Sequence, residues 1–275
     1  MIQLKGRYVM PHWKDPRWTL LAFLLTYAIM AINSPTFTRT PAQFFAAVGT
    51  CIGLDFFLIT FYKRIKLVPL SGFIAAMGTF LLTDSPEVWP YFLVASLSIL
   101  SKHFIVMNGR HIFNPNNFGV VVAVLFCAEQ VMSEPGRWGG NAVSATLISM
   151  FGLFCVYRAN KLVLSLTYTG VFFLGVLLRA EIFNANVMRV MAPMTGAGFH
   201  LFIFYMISDP ATTPSNKKHQ FIFALLLATL DTYLRYKQMK YAPFFSLFIM
   251  CALYSAVRAP RKEVPAPMLG RQLAS

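Results

Sequence analysis

Pro69-Leu70-Ser71-Gly72 opens an apolar run that closes on Thr83-Asp84, and 124 positions later Pro193-Met194-Thr195-Gly196 opens another that closes on Ser208-Asp209. The echo marks a duplicated unit. A Pro-x-[Ser/Thr]-Gly start and a [Ser/Thr]-Asp finish put free backbone polar groups at both ends of an apolar segment, and in lipid such groups persist only around a cavity. That cavity, between the two copies, is the expected seat of function.

The rest of the chain fits a polytopic membrane protein. Hydrophobic residues make up 57%, aromatic residues 15% and charged residues only 12%, which excludes an ordinary soluble domain. The net charge of +14 comes from Lys and Arg in short loops and tails, so topology and anionic lipid account for it and a nucleic-acid partner is not expected. The first apolar run follows Lys5, Arg7, Lys14 and Arg17 with no clean small-x-small cleavage site, and it reads as an uncleaved span. Cys51, Cys127, Cys155 and Cys251 are solitary within apolar segments and lack metal, cluster or disulfide spacing.

Apolar segments lie at roughly 18–34, 43–62, 70–83, 90–107, 115–132, 142–157, 162–178, 193–208, 220–236 and 243–257. The expected fold class is therefore all-α with about ten spans. Dividing them five and five makes the two Pro-x-[Ser/Thr]-Gly segments the third span of each half, and an odd number per half forces the halves to insert upside down. Smaller echoes agree: Arg17-Trp18 with Arg137-Trp138, Phe56-Phe57-Leu58 with Phe172-Phe173-Leu174, and Pro115 with Pro243. The predicted parts are a basic tail (1–17), two five-helix repeats (18–133 and 134–257) with interrupted helices at their interface, and a disordered basic tail (258–275).

Lys and Arg divide 17 to 7 between the two sets of alternating loops, the larger share lying with the tails and the loops after even-numbered spans. Both termini are thus expected in the cytoplasm of a bacterial-type inner membrane. Arg235, Lys237 and Lys240, between spans nine and ten, are the exception.

Two polar clusters fall on the predicted cytoplasmic face. The first runs Asn108-Gly109-Arg110-His111-Ile112-Phe113-Asn114-Pro115-Asn116-Asn117-Phe118-Gly119, where a helix-starting proline and amide side chains offer donors and acceptors suited to the edge of a flat heterocycle. The second, Ser208-Asp209-Pro210-Ala211-Thr212-Thr213-Pro214, offers hydroxyls, a carboxylate and an interrupted backbone.

These two motifs, His-Ile-Phe-Asn-Pro-x-x-Phe-Gly and Ser-Asp-Pro-x-Thr-Thr-Pro, resemble signature positions of the NqrB/RnfD membrane family, whose members serve the sodium-pumping NADH:quinone oxidoreductase and the Rnf electron-transport complex. Gly136-Arg137-Trp138-Gly139-Gly140 also looks like that family's entry to the second half. The likeness spans roughly residues 18–257, and the chain is more loosely similar to a shorter branch of RnfD-like proteins found near enediyne biosynthesis genes. The resemblance implies two inverted five-helix repeats, similar to urea transporters, and flavin-based membrane electron transfer with ion movement as a companion role. Family members with covalent FMN use a Ser-Gly-Ala-Thr acceptor, whereas Ser144-Ala145-Thr146 and Thr195-Gly196-Ala197-Gly198 depart from it. A non-covalent flavin, riboflavin or FMN, is the expectation. Its implied contacts are Arg110, His111, Phe113, Asn114, Pro115, Asn117, Phe118, Gly119, Ser208, Asp209, Thr212 and Thr213, with Phe113 and Phe118 as stacking rings. Other electron-transfer subunits or a donor flavoprotein are the implied partners, alongside the lipid bilayer.

Four ionisable residues in or beside spans carry two readings each. Asp55, Asp231, Lys102 and His200 either line an ion or proton pathway or are satisfied structural groups, Asp55 and Asp231 pairing with Lys102, His103 or Arg235. Lys102 and Arg110 either approach an anionic ligand or extend to head groups. No nucleophile elbow, paired metal-binding histidines or phosphate-cradling loop occurs, so a self-sufficient enzyme is not expected. A small-molecule transporter on the same fold is the competing function, and a membrane scaffold for other enzymes a third.

Overall fold

The computed structural model describes residues 10–34, 37–63, 68–131 and 142–258. Most of the first tail, the Gly136–Gly140 stretch and the tail beyond Arg258 lie outside them.

Among the described residues the chain is all-α apart from one small hairpin. In order come α1 (Pro16–Ile32), α2 (Pro41–Phe57) continued by a π-helical turn (Leu58–Tyr62), α3 (Leu70–Leu82), α4 (Trp89–Phe104), β1 (Val106–Met107), β2 (Arg110–His111) and α5 (Pro115–Cys127). The second part has α6 (Ala142–Arg158), α7 (Leu162–Ile182), α8 (Val187–Met191), a 3₁₀ turn (Ala192–Thr195), α9 (Ala197–Leu201), a π-helical segment (Phe202–Met206), α10 (Lys217–Tyr236) and α11 (Ala242–Val257). Two helical stretches, Pro41–Tyr62 and Leu162–Ile182, are long and apolar enough to cross a membrane. A third span results if the bent pair Val187–Thr195 and Gly198–Met206 is taken as one, and shorter apolar helices surround them.

Local chemistry sets the helix starts. Asp15, Thr40 and Asn114 each accept a backbone N–H at an N-cap, and each is followed by a proline whose missing N–H costs nothing there. Gln43 completes a capping box with Thr40. Pro69 likewise stands just before α3, so α3 is unbroken despite the expected interruption. Pro193 sits near the start of the 3₁₀ turn that follows α8, where its missing donor weakens the ladder, and the chain bends by 56° just beyond, between Val187–Thr195 and Gly198–Met206. Only the second of the two echoed segments is therefore interrupted.

Packing follows a repeated order. In the first part α2 packs on α3 and α4, α4 on α5, and α1 on α3; in the second α7 packs on α10 and the π segment 202–206, α10 on α11, and α6 on α9 and that same π segment. α2 and α4 run parallel, because Gln43 Nε2 near the start of α2 reaches the carbonyl of Ser85 just before α4, and Asp55 meets Lys102 and His103 near the other end. α7 and α10 are parallel too, with Gln220 on the Asn160 carbonyl at one end and Asp231 on Tyr168 farther along.

Contacts between the two parts are antiparallel. Along α1 and α6, Thr19 meets Cys155 and Arg158 while Phe23 meets Phe151. Toward α11, His111 meets Arg258, Phe113 meets Phe248, and Asn117 meets Phe244. At the centre Asn116 of α5 donates to the Ala75 carbonyl (2.8 Å) and Thr79 Oγ1 (3.2 Å) of α3, and its oxygen accepts from Tyr205 Oη (2.9 Å). Gly78 lies under that junction: a Cβ there would stand 2.5 Å from Asn116 Nδ2 and 2.6 Å from Tyr205 Oη. Gly78→Ala is expected to lower stability by about 1–3 kcal/mol, read as a drop in the thermal unfolding midpoint of the detergent-solubilised full chain. An unchanged midpoint would show that the junction yields freely.

Candidate functional site

The two sequence motifs meet. His111 Nε2 lies 3.1 Å from Asp209 Oδ2, and Asp209 Oδ1 accepts from the Ala211 amide at 2.9 Å. Asn108 and Gly109, with φ of 55° and 71°, form the tight turn between β1 and β2 that presents Arg110 and His111. An Asn-Gly pair is what a two-residue turn of this hand favours, so the turn is legible in the sequence although the strands are only two residues each.

Two cations absent from the predicted site hold the loops. Arg258 is nearly buried; its guanidinium donates to the carbonyls of Ala211 (2.9 Å), Met107 (3.0 Å), Arg110 (3.1 Å) and His111 (3.3 Å), tying the end of α11 to both motifs. The sequence starts the basic tail at this residue; in the structure Arg258 is instead the clasp. Lys161 Nζ donates to the Thr213 carbonyl and hydroxyl and to the Pro214 carbonyl at 2.7–3.1 Å. Burial pushes the Lys161 ammonium down to about 8, opposed by Asp209 and reinforced by Arg110. Burial on its own would raise the Asp209 carboxyl, but His111, the Ala211 amide and Lys161 outweigh it and hold it below the usual carboxylate range.

Most of the predicted contacts are engaged within the protein. Asn114 caps α5 and donates weakly to the Met206 carbonyl, and Pro115 is the first residue of that helix. Asn117 Nδ2 donates to the Phe244 carbonyl at 3.1 Å. Phe113 stacks on Phe248 with ring centres 4.3 Å apart and planes 11° apart, while Phe118 leans on both. Gly119 admits α4, since a Cβ there would strike Ser98 Oγ and lie 2.6 Å from the Val94 carbonyl. Ser208 Oγ bonds back to the Phe204 carbonyl, and Thr212 and Thr213 to that of Asp209.

Two features of this region bear on the flavin expectation. Phe248 takes one face of Phe113, yet Phe113 keeps part of its surface accessible, and Asn117 Oδ1 is a buried acceptor with no partner among the described residues. That oxygen has the chemistry to receive a ring N–H. Arg110, half-buried, supplies positive charge in the neighbourhood of Lys161.

The membrane carboxylates form two separate clusters. Asp55 is fully buried and accepts from Lys102 Nζ at 2.7 and 2.8 Å, from Ser71 Oγ at 3.2 Å, and lies 2.6 Å from His103 Nε2. Asp231, equally buried, accepts from Tyr168 Oη at 2.7 Å and from Arg235 Nε at 3.0 and 3.1 Å, with Arg235 also lying over the Phe172 ring. Both carboxylates take partners the sequence offered; Ser71 and Tyr168 carry no sequence signal for this role. Asp55 lies about four turns into α2, and Asp231 about four turns into α10. His200 stands apart from both clusters, its Nδ1 2.9 Å from the Gly196 carbonyl one turn back.

A scan against protein-family models finds no match for this chain, and a search of curated proteins finds none.

Because the folded Asp209 ionises at lower pH than an unfolded one, its contribution is present above the ordinary carboxylate value and is lost as pH falls through the folded value. Asp209→Asn is expected to cost about 1–2 kcal/mol near neutral pH and to flatten the loss of stability between about pH 5 and pH 3. Thermal unfolding across that range checks both, and a variant matching the parent at every pH would refute the role of the His111–Asp209 contact.

Proposed function

We propose that this chain is a ten-span inner-membrane protein of two inverted five-helix repeats, residues 18–133 and 134–257, with both termini cytoplasmic. We read it as the membrane component of a flavin-dependent electron-transport system, of the kind typified by the NqrB/RnfD family. The antiparallel contacts between helices at equivalent positions, α1 with α6 and α5 with α11, support the inverted arrangement. The single observation that carries the functional reading is the His111–Asp209 contact, which unites the two motifs on which the family resemblance rests.

Near that contact a non-covalent flavin, riboflavin or FMN, would supply one- and two-electron chemistry. Phe113 would contact its ring, Asn117 Oδ1 would accept a ring N–H, and Arg110 would balance negative charge. Arg258 and Lys161 fix the loops that carry these groups, so the chain binds and orients rather than reacts. Electrons would enter from a donor flavoprotein or iron-sulfur protein and leave to an acceptor, both on other chains.

A second reading, a small-molecule carrier on the same fold, is favoured by the two buried carboxylate clusters, which electron transfer does not require. Gentle detergent extraction separates the two. The redox reading expects a yellow protein absorbing near about 450 nm, with flavin recovered by mass identification and reduced in Asn117→Leu. Colourless, flavin-free protein that loads a solute into liposomes would overturn it in favour of the carrier.

A further inference from the structure

We propose that Arg179 and Arg235 bind the phosphate of an anionic phospholipid where the parallel helices α7 and α10 end together. Gly175 lets the two helices touch, since a Cβ there would strike Thr232 Oγ1, and at their ends Phe183 meets Tyr236 with ring centres 5.6 Å apart. Phe183 is the C-cap of α7 and Tyr236 the last residue of α10. Arg179 and Arg235 fall between these contacts, each about one turn on from the touching residue of its own helix.

The charges there do not cancel. Asp231 is the carboxylate whose field reaches Arg179, yet it is fully buried and its oxygens are taken by Tyr168 Oη and by Arg235 Nε. Arg235 spends only its Nε on that pair, with its guanidinium lying over the Phe172 ring. Arg179 makes no hydrogen bond or ion pair among the described residues; its Nε is buried without a partner and the side chain as a whole is half-exposed. Glu181, two residues further on, projects from another face of α7 and does not answer it. Two positive groups thus stand against one negative one. The negative ends of both helices make the pair tolerable without occupying its terminal nitrogens.

A phosphate diester answers this arrangement, because a guanidinium fork meets phosphate oxygens with parallel hydrogen bonds and two forks hold one phosphate from two sides. What flanks the pair sets the rest of the ligand. Leu174, Leu178 and Ile182, four residues apart and exposed, make an apolar stripe down α7 beside Arg179. Since α7 is long and apolar enough to cross a membrane, acyl chains cover that stripe and bring a lipid phosphate to the guanidiniums at the interface. A free phosphate ion would gain nothing from the stripe. Arg235 is also one of the cations that depart from the loop-charge rule in the expected topology, and lipid binding gives it a reason to stand there.

The site needs a bilayer but neither flavin nor electron transfer, so its test stands apart from the redox reading. Full-length protein in detergent is titrated with phosphatidylglycerol or with phosphatidylcholine, and bound lipid is counted by native mass spectrometry. Phosphatidylglycerol is expected to bind the more tightly, and Arg179→Gln to weaken it by about tenfold through loss of one charged fork. Lys237→Gln and Lys240→Gln, at exposed positions beyond the pair, are expected to change it by less than about twofold. Should Arg179→Gln not fold, Arg179→Lys keeps the charge, loses the fork and is expected to bind at least about threefold more weakly. Unchanged binding in the Arg179 variants, equal losses in the lysine variants, or equal binding of the two lipids would overturn the proposal. So would displacement of the lipid by inorganic phosphate, which would make the ligand a soluble anion.

Discussion

Asn116 holds the two parts of the chain together, and the remaining packing is arranged so that it can. Its amide reaches a carbonyl and a hydroxyl on α3 and receives the Tyr205 hydroxyl from the π segment. In an apolar interior each of these groups must find a protein partner, because no water stands by to replace it. One side chain therefore satisfies polar atoms from both halves, and it does so only because Gly78 leaves room beneath it. The π-helical register at 202–206 belongs to the same constraint, since Tyr205 must be aimed at α5 from a segment that follows the bend between Thr195 and Gly198.

Around this junction, corresponding turns are held by corresponding devices. Arg39, just before α2, donates to the carbonyls of Thr83 and Leu81 at the end of α3, and Gln43 gathers those of Ser85 and its neighbours. Lys161, just before α7, does the same for Thr213 and Pro214, and Gln220 takes the carbonyls of Asn160 and Ser215. A cation and a glutamine thus close the turn after the third segment in each half. Carbonyls left open by a helix end or an irregular loop are costly near lipid, and long polar side chains from an adjacent loop answer that cost.

How far the sequence reveals this depends on which atoms make the contact. The helix starts at Pro41 and Pro115 are legible because a capping side chain and a proline act locally. Asp55 and Asp231 are legible because an acid in an apolar run demands a basic or hydroxyl partner. Arg258 is not, since its partners are main-chain carbonyls, which carry no side-chain identity, and the prolines that follow it read as a loose tail. The matching Pro69 and Pro193 motifs fold differently because only Pro193 has a helix running into it. Phe248, the ring that meets Phe113, is one of many phenylalanines in apolar helices and nothing local singles it out.

The proposed function joins the lock of two motifs to buried acid clusters placed toward opposite ends of the fold. That placement has meaning only if the halves insert in opposite senses. Single cysteines at Glu87 and Asn184 on one side, and at Asn160 and Ser215 on the other, in a chain with Cys127 replaced by serine, test this most directly with a membrane-impermeant maleimide on intact cells. The account predicts labelling at 87 and 184 from outside and at 160 and 215 only after permeabilisation. Labelling of 87 and 215 from the same side would contradict it.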